Sequence, residues 1–347
     1  MTPDVFINAM PIPALWVSAS GRIEAINASA ASLFGATTLG RHYITVLRQP
    51  GLLDAIESAI REQKTQTTPY LTTEARRDIT LHATCAPSGD HSGILVSFED
   101  RTEMEEAGQM RRDFVANVSH ELRTPLTALL GFMETLRGAA RDDPEARDRF
   151  LGIMEREAHR MNRLVGDLLS LGRVEAEARV RPTTDVDFTA IIRSVIKTLS
   201  PLSDEHQVTF VEEGLERDMI LPGDGDQLAQ VVTNLVENAV KYAPAKSNVT
   251  LKLTRDQHHP MLRGSAVVLE VHDQGAGIDA IHLPRLTERF YRIDDHRSRE
   301  VGGTGLGLAI VKHILNRHRG RLRITSEKGQ GSVFSVILPA EVRRIDI

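Results

Sequence analysis

Four groups of residues combine side-chain type and spacing in ways that could support chemistry. The first is FVANVSHELRTPL, residues 114–126. His120 sits inside a stretch of helical periodicity with Glu121 beside it and Thr124 four residues on, hence on the same face. A neutral imidazole is a competent nucleophile when one ring nitrogen is held as a donor and the other lone pair stays free. Glu121 is the neighbouring acceptor that could hold it. Pro125 cannot donate to the carbonyl of Glu121, so the helix is expected to kink or loosen just after the histidine. Taken alone, one histidine on an amphipathic helix is more often a surface or interface residue than a nucleophile.

The second group is NLVENAVKYAP, residues 234–244. Asn234, Asn238 and Lys241 follow at steps of four and three and lie near one helical face, with Tyr242 adjacent. An asparagine oxygen suits Mg²⁺, and a lysine offers a point charge to a phosphate oxygen. The same spacing also describes an ordinary helix with a polar exposed face. The third group, DQGAGI at residues 273–278, follows the apolar stretch Ala266 to His272. Asp273 could accept from an exocyclic amine while Gly275 and Gly277 let backbone approach a flat ligand. In the fourth, GGTGLGLAIVKHI at 302–314, Gly303, Gly305 and Gly307 precede a helix whose first-turn amides could hold phosphate. A tight turn explains such glycines equally well. The charged residues 297–301 ahead of it exclude a dinucleotide-binding βαβ fingerprint.

The elements that must carry these groups fall into three stretches. Residues 1–100 alternate short segments: a helix at Asp4 to Met10, strands at Ala14 to Ser18 and Arg22 to Asn27, a small-residue helix ending near Gly35, an amphipathic helix at Gly51 to Glu62, and strands at Asp78 to Cys85 and Gly93 to Glu99. Residues 101–180 show long helical periodicity. One stripe runs through Met110, Phe114, Val118, Leu122, Leu126, Leu129, Met133 and Leu136, and a second helix starting at Pro144 buries Phe150, Ile153, Met154, Met161, Leu164, Val165, Leu168 and Leu169. Two helices cannot enclose such wide stripes, so a homodimer forming a four-helix bundle is expected. After a linker near Arg181-Pro182-Thr183-Thr184, residues 186–347 mix helices (Phe188 to Leu199, Asp226 to Tyr242, Thr304 to Arg317) with five strands, an α/β sandwich.

Composition narrows the classes. In 347 residues, 42 Lys and Arg face 47 Asp and Glu, and no long block of one sign occurs, which argues against direct nucleic-acid binding by bulk charge. The single cysteine, Cys85, forms no internal bridge and fits a reducing compartment. The apolar segment Val5 to Val17 lacks the basic start of a signal peptide, and no run of residues is apolar enough for a transmembrane segment, so a cytoplasmic location is expected. His42, His82, His91 and Cys85 are scattered and assign no cofactor to the N-terminal stretch.

Residues 114–126 resemble the phosphoacceptor box of sensor histidine kinases. The order of the Asn-rich helix, the Asp-Gly-Gly turn, Phe290-Tyr291-Arg292, the triple-glycine helix start and Gly329-Gln330-Gly331-Ser332 resembles the Bergerat ATP-binding fold of their catalytic domains. The likeness spans about residues 110–175 and 186–340, and the order of elements in residues 1–100 resembles a PAS sensory domain. The implied fold class is α+β multidomain: a PAS-like domain (1–100), a helical-hairpin dimerisation and phosphotransfer domain (101–180), and a Bergerat-type sandwich (186–347).

By that resemblance ATP and Mg²⁺ are the cofactors and His120 is phosphorylated, while Thr124 would position the water that dephosphorylates a partner's aspartyl phosphate. Asn238 would hold Mg²⁺, Asn234 and Lys241 would contact phosphates, Tyr242 would pack near adenine and Asp273 would recognise its amine. Gly275 and Gly277 would shape the pocket. Gly303, Thr304, Gly305, Leu306 and Gly307 would close a lid over roughly residues 279–304, in which Arg297 and Arg299 could steady transferring charge. The flanking context is most similar to phosphate-regulon sensor kinases, implying a response regulator for phosphate-uptake genes and contact with phosphate-transport components. Members of that group usually carry transmembrane helices ahead of the PAS unit, and none is seen here. The alternative is a Bergerat-fold ATPase or chaperone-like machine. Such enzymes place a glutamate one turn before the metal-binding asparagine, where this chain has Asn234, and Glu237 is expected to point elsewhere. A silent scaffold is disfavoured because every motif position holds a suitable residue.

Overall fold

The computed structural model describes residues 3–74, 77–89, 92–177, 180–293 and 303–341, which divide into two compact units, 1–116 and 117–347. In the first unit, α1 (Pro3–Ala9), α2 (Ala28–Phe34), α3 (Tyr43–Val46) and α4 (Pro50–Glu62) accompany β1 (Ala14–Ser18), β2 (Ile23–Ile26), β3 (Gln66–Glu74), β4 (Arg77–Pro87) and β5 (Gly93–Asp100). The strands form one antiparallel sheet in the order β2-β1-β5-β4-β3. Its core is built from Leu15, Val17, Ile56, Val96 and Phe98, with Phe34 tilted against Phe98 and Tyr70 meeting it edge-on. β3 is a strand that sequence reading passed over. Its run is interrupted by Pro69, which lacks an amide donor, and the sheet accommodates it by placing β3 at the edge.

Side chains considered as ligand handles have structural surroundings here. The His42 ring stacks on Tyr43 and accepts from the amide of Ile44 at the start of α3. Cys85 is fully buried, and burial pushes its thiol up to about 12, far from the reactive thiolate. His91 lies outside the described residues.

α5 (Thr102–Arg137) begins in the first unit and continues into the second, where α6 (Pro144–Ala176) returns beside it as a helical hairpin. Asp143 caps α6 by accepting from Ala146 and Pro144 occupies the first turn, as its fixed φ favours. Phe132 and Phe150 stack across the hairpin. α5 runs as a single helix through Pro125, whose ring is buried. Of the predicted stripes, Leu164 is buried, but Leu126, Met133, Val165 and Leu169 stay exposed in the single chain, Leu169 at 71%.

The rest of the second unit is a two-layer α/β sandwich. α7 (Phe188–His206), α8 (Gly225–Tyr242) and α9 (Gly307–Arg317) cover a sheet of β7 (Thr209–Glu213), β9 (Asn248–His259), β10 (Gly264–Asp273), β11 (Arg321–Glu327) and β12 (Gly331–Pro339). The order is β11-β12-β10-β9-β7, antiparallel except for the parallel β7–β9 pair. A two-stranded ribbon, β6 (Asp185–Asp187) with β8 (Ile220–Pro222), leads into α7 and α8. Val267, Leu269 and Val271 of β10 are completely buried, as are Val232, Leu235 and Val236 of α8, so the middle of this sandwich is a dry aliphatic core.

Candidate active site

α8 positions the site by a simple alternation. Val231 and Val232, Leu235 and Val236, then Ala239 and Val240 are buried. The intervening pairs (Thr233 and Asn234, Glu237 and Asn238, Lys241 and Tyr242) line a cavity of about 730 Å³. At 3.6 residues per turn, a four-residue repeat keeps one edge of the helix on the core and the other on the cavity over its length. Glu237 therefore belongs to the cavity wall, which corrects the expectation that it points elsewhere. Its carboxylate accepts from Lys241 Nζ at 2.7 Å.

Opposite α8, Asp273 ends β10 and is 8% exposed. It is paired in the sheet with Ser332, and its Oδ1 accepts from the amide of Gly275 at 2.8 Å. Burial pushes this carboxyl above its ordinary range, opposed by the hydrogen bonds from Gly275 and Ser332 and by the nearby His272. Gly277, at φ +69°, has no room for a side chain, because a Cβ would lie 2.0 Å from the carbonyl oxygen of Glu327. The apolar groups Ile278, Leu286, Ile293 and Phe334 share this end of the cavity with Gly275 and Gly277 and with the half-exposed Tyr242, making a slot suited to a flat base.

The far wall comes from the glycine-rich segment. Gly303, Thr304, Gly305 and Gly307 line the cavity, while Leu306 is fully buried and turns away from it. Gly307 begins α9 with no side-chain cap, so its first-turn amides are available to an anion. A Cβ on Gly307 would come within 3.1 Å of Asn234 Oδ1, so the helix start is drawn tightly against α8. Asn234 Nδ2 is buried and among the described residues has no partner. An unsatisfied donor at that depth is costly unless a ligand oxygen meets it, which fits a phosphate. Arg297 and Arg299 lie outside the described residues.

The hairpin carries the second part of the site. His120 is exposed on α5, and among the described residues no hydrogen bond engages its imidazole. Thr124 Oγ1 donates to the carbonyl of His120 at 3.2 Å. Glu121 does not reach the neighbouring ring but accepts from Arg160 of α6 at 2.7 Å. Sequence reasoning missed the way α6 joins the cavity. Arg163, Gly166 and Asp167 line it beside Asn234, Asn238 and Lys241. Thr304 Oγ1 donates to Asp167 Oδ2 at 2.6 Å, Ser170 Oγ donates to Gln230 Oε1 at 2.7 Å, and Arg289 pairs with Glu175. Thr304 also closes a narrow crevice shared with Glu121, Pro125, Arg160, Met161 and Leu164, so one residue of the glycine-rich segment touches both the cavity and the turn following His120.

Residues 110–177 match the His Kinase A (phospho-acceptor) domain, and residues 223–342 match the histidine kinase-, DNA gyrase B- and HSP90-like ATPase family. The phosphate regulon sensor protein PhoR of Pseudomonas aeruginosa is 36% identical over 335 residues, covering 94% of this chain and 72% of that protein. The sensor-like histidine kinase SenX3 of Mycolicibacterium smegmatis is 36% identical over 250 residues, 72% of this chain and 63% of that one. Among solved structures, the complex of histidine kinase ThkA with response regulator protein TrrA aligns over 99% of this chain and 100% of that one, with a TM-score of 0.54 and 21% identity, a likeness of fold. The chain therefore belongs to the sensor histidine kinases, ATP-dependent protein-histidine kinases of two-component systems. It spans 41% of the sensor kinase WalK of Bacillus subtilis, to which it is 34% identical over 264 residues. Among the described residues no helix is long and apolar enough to cross a membrane.

Proposed function

We propose that this chain transfers the γ-phosphoryl group of ATP to His120 and then to an aspartate of a response regulator. The observation that carries the reading is the meeting of both halves of the reaction at Thr304, which touches the cavity bearing Asn234, Asn238 and Lys241 and the crevice one turn beyond the exposed His120. Asp273 would accept from the adenine amine and Tyr242 would flank the base. Asn234 Nδ2 and Lys241 would meet phosphate oxygens, and the buried Leu306 would contribute through backbone alone. Asn238 would hold Mg²⁺ by its amide oxygen, and the ion would supply neutralisation of phosphate charge. Deprotonating the attacking imidazole falls to Glu121 once Arg160 releases it, and Thr124 would orient water for dephosphorylating the partner's aspartate.

The domain division 1–100, 101–180 and 186–347 follows. The first is read as a PAS-like sensor, supported by its five-stranded antiparallel sheet flanked by short helices. The exposed hairpin leucines support a homodimer. Similarity to PhoR over 94% of the chain supports phosphate-starvation signalling, with phosphate-transport components as upstream partners and a regulator of the kind bound by ThkA downstream. The alternative of simple ATP hydrolysis draws on Glu237 in the cavity wall, but that carboxylate is held by Lys241 and is not free to activate water.

Incubation with γ-labelled ATP and Mg²⁺ tests the reading. Wild type is expected to acquire acid-labile, alkali-stable label, and His120→Gln to acquire none while still binding nucleotide. Label on the variant, or phosphate release from an unlabelled wild type, would overturn it.

A further inference from the structure

The charged groups on the cavity wall are unequally engaged. Lys241 is paired with Glu237 at 2.7 Å, and Asp167 is held by the hydroxyl of Thr304 at 2.6 Å. Arg160, one turn ahead of Arg163 on α6, is spent on Glu121. Arg163 lines the cavity, is exposed, and among the described residues has no hydrogen-bond or ion-pair partner. It stands four residues before Asp167, on the same face of α6, and its charge partly offsets the burial that raises that carboxyl.

This part of α6 is fixed against the sandwich by hydrogen bonds from Ser170 to Gln230 of α8 and from Thr304 of the glycine-rich segment to Asp167, and by the Arg289–Glu175 pair. Asp167 also feels Glu237 and Lys241, which places the Arg163 and Asp167 turn beside the polar side chains of α8 that line the cavity. A polyphosphate entering there meets two carboxylates, Asp167 and Glu237. Their repulsion must be offset by cations, and Lys241 is already shared with Glu237. The open guanidinium has five donors in a planar fork that matches a phosphate with two free oxygens.

We propose that Arg163, on the phosphoacceptor hairpin, is a phosphate-binding residue of the nucleotide site and contacts the terminal phosphate of a nucleoside triphosphate. The site is then a composite: the sandwich domain recognises base and inner phosphates, and α6 reads the presence of the third. Arg163 contacts ligand directly, whereas Asp167 acts through Thr304 and is a positioning residue. The proposal rests on the reading of the cavity as an ATP site.

The test measures binding of a non-hydrolysable ATP analogue and of ADP, each with Mg²⁺, to the full chain and to Arg163→Gln and Arg163→Lys. Arg163→Gln is expected to lose about three- to tenfold in affinity for the triphosphate, the range of a partly exposed charge-assisted contact, and to keep its ADP affinity. Arg163→Lys should recover part of the loss, since it restores charge without the fork. Thermal unfolding of the unliganded variants checks that the fold is intact. Equal losses for both nucleotides, or no loss, would overturn the composite site while leaving the ATP reading in place. Failure of the wild type to bind either nucleotide would overturn both.

Discussion

Asp273→Asn separates recognition from stability at one atom. Asp273 Oδ1 is occupied by the amide of Gly275 at 2.8 Å, and Ser332 donates from backbone and side chain, so the carboxylate is already a structural acceptor before any base arrives. An asparagine can present its single oxygen to Gly275, and its amide nitrogen then faces either the Ser332 hydroxyl, which can accept, or the adenine amine, which cannot. Losing a hydrogen bond to a charged acceptor costs about 1.5–3 kcal/mol, and at 1.4 kcal/mol per decade this weakens ATP binding by about ten- to a hundredfold. Stability should fall by about 1–2 kcal/mol, because the Ser332 amide loses its acceptor while the neutral side chain escapes the burial that pushes the carboxyl upward. Titration calorimetry supplies the affinity and urea unfolding the stability. Lowering the pH should weaken ATP binding to the wild type by protonating the same acceptor, and the variant should lack this dependence. Unchanged ATP affinity in a folded variant, or equal binding of ATP and GTP by the wild type, would refute the assignment of Asp273 to the adenine amine.

Two further outcomes follow from burial. Leu169 is 71% exposed in the single chain on the hairpin stripe, and a dimer would bury it twice. Leu169→Asp should therefore raise the dimer dissociation constant by at least on the order of a hundredfold, and sedimentation showing a monomeric wild type would remove the basis of this expectation. His318 is buried, its Nδ1–H donating to the Ile314 carbonyl at 2.8 Å while Nε2 accepts from the Asp224 amide at 3.0 Å, an arrangement that requires the neutral ring. Burial foremost holds its pKa below the ordinary 6.5. The unfolded chain thus takes up the proton first as acid is added, so this contribution is complete above about pH 6.5 and declines below it, by up to about 1.4 kcal/mol per pH unit until the folded ring also titrates. Urea unfolding at pH 7.5 and 5.5 should show the fall, and His318→Gln should reduce it. An equal fall in the variant would assign the dependence to other groups.

What could be read before folding, and what could not, divides along the reach of the interactions. The alternation on α8 is local, so Asn234, Asn238 and Lys241 could be placed on one face from spacing alone. Treating that face as a single line was too narrow: two residues per turn reach the cavity, and Glu237 enters beside Asn238. β3 escaped notice because Pro69 argues against a strand unless the strand is known to be an edge, a fact set by the other four strands. Leu306 carries a motif position, yet its side chain packs into the core, since a motif constrains the backbone path as much as the side chains it displays.

The contribution of α6 was the least legible. Asp167 and Thr304 are 137 residues apart, and no periodicity in either segment announces the other. Their bond exists only because the sandwich lies against the hairpin, and it joins the two chemistries that the sequence displays separately. Glu121 is tied to Arg160 on the same α6 turn that leads to Arg163, so the hairpin acid and the nucleotide cavity are served by neighbouring guanidinium groups one helical turn apart. If a nucleotide recruits Arg163 as proposed, the charge felt by Arg160 at the next turn would change, and with it the hold on Glu121. The coupling needs no pathway beyond a single turn of helix, because charges at i and i+3 are neighbours on the helix surface.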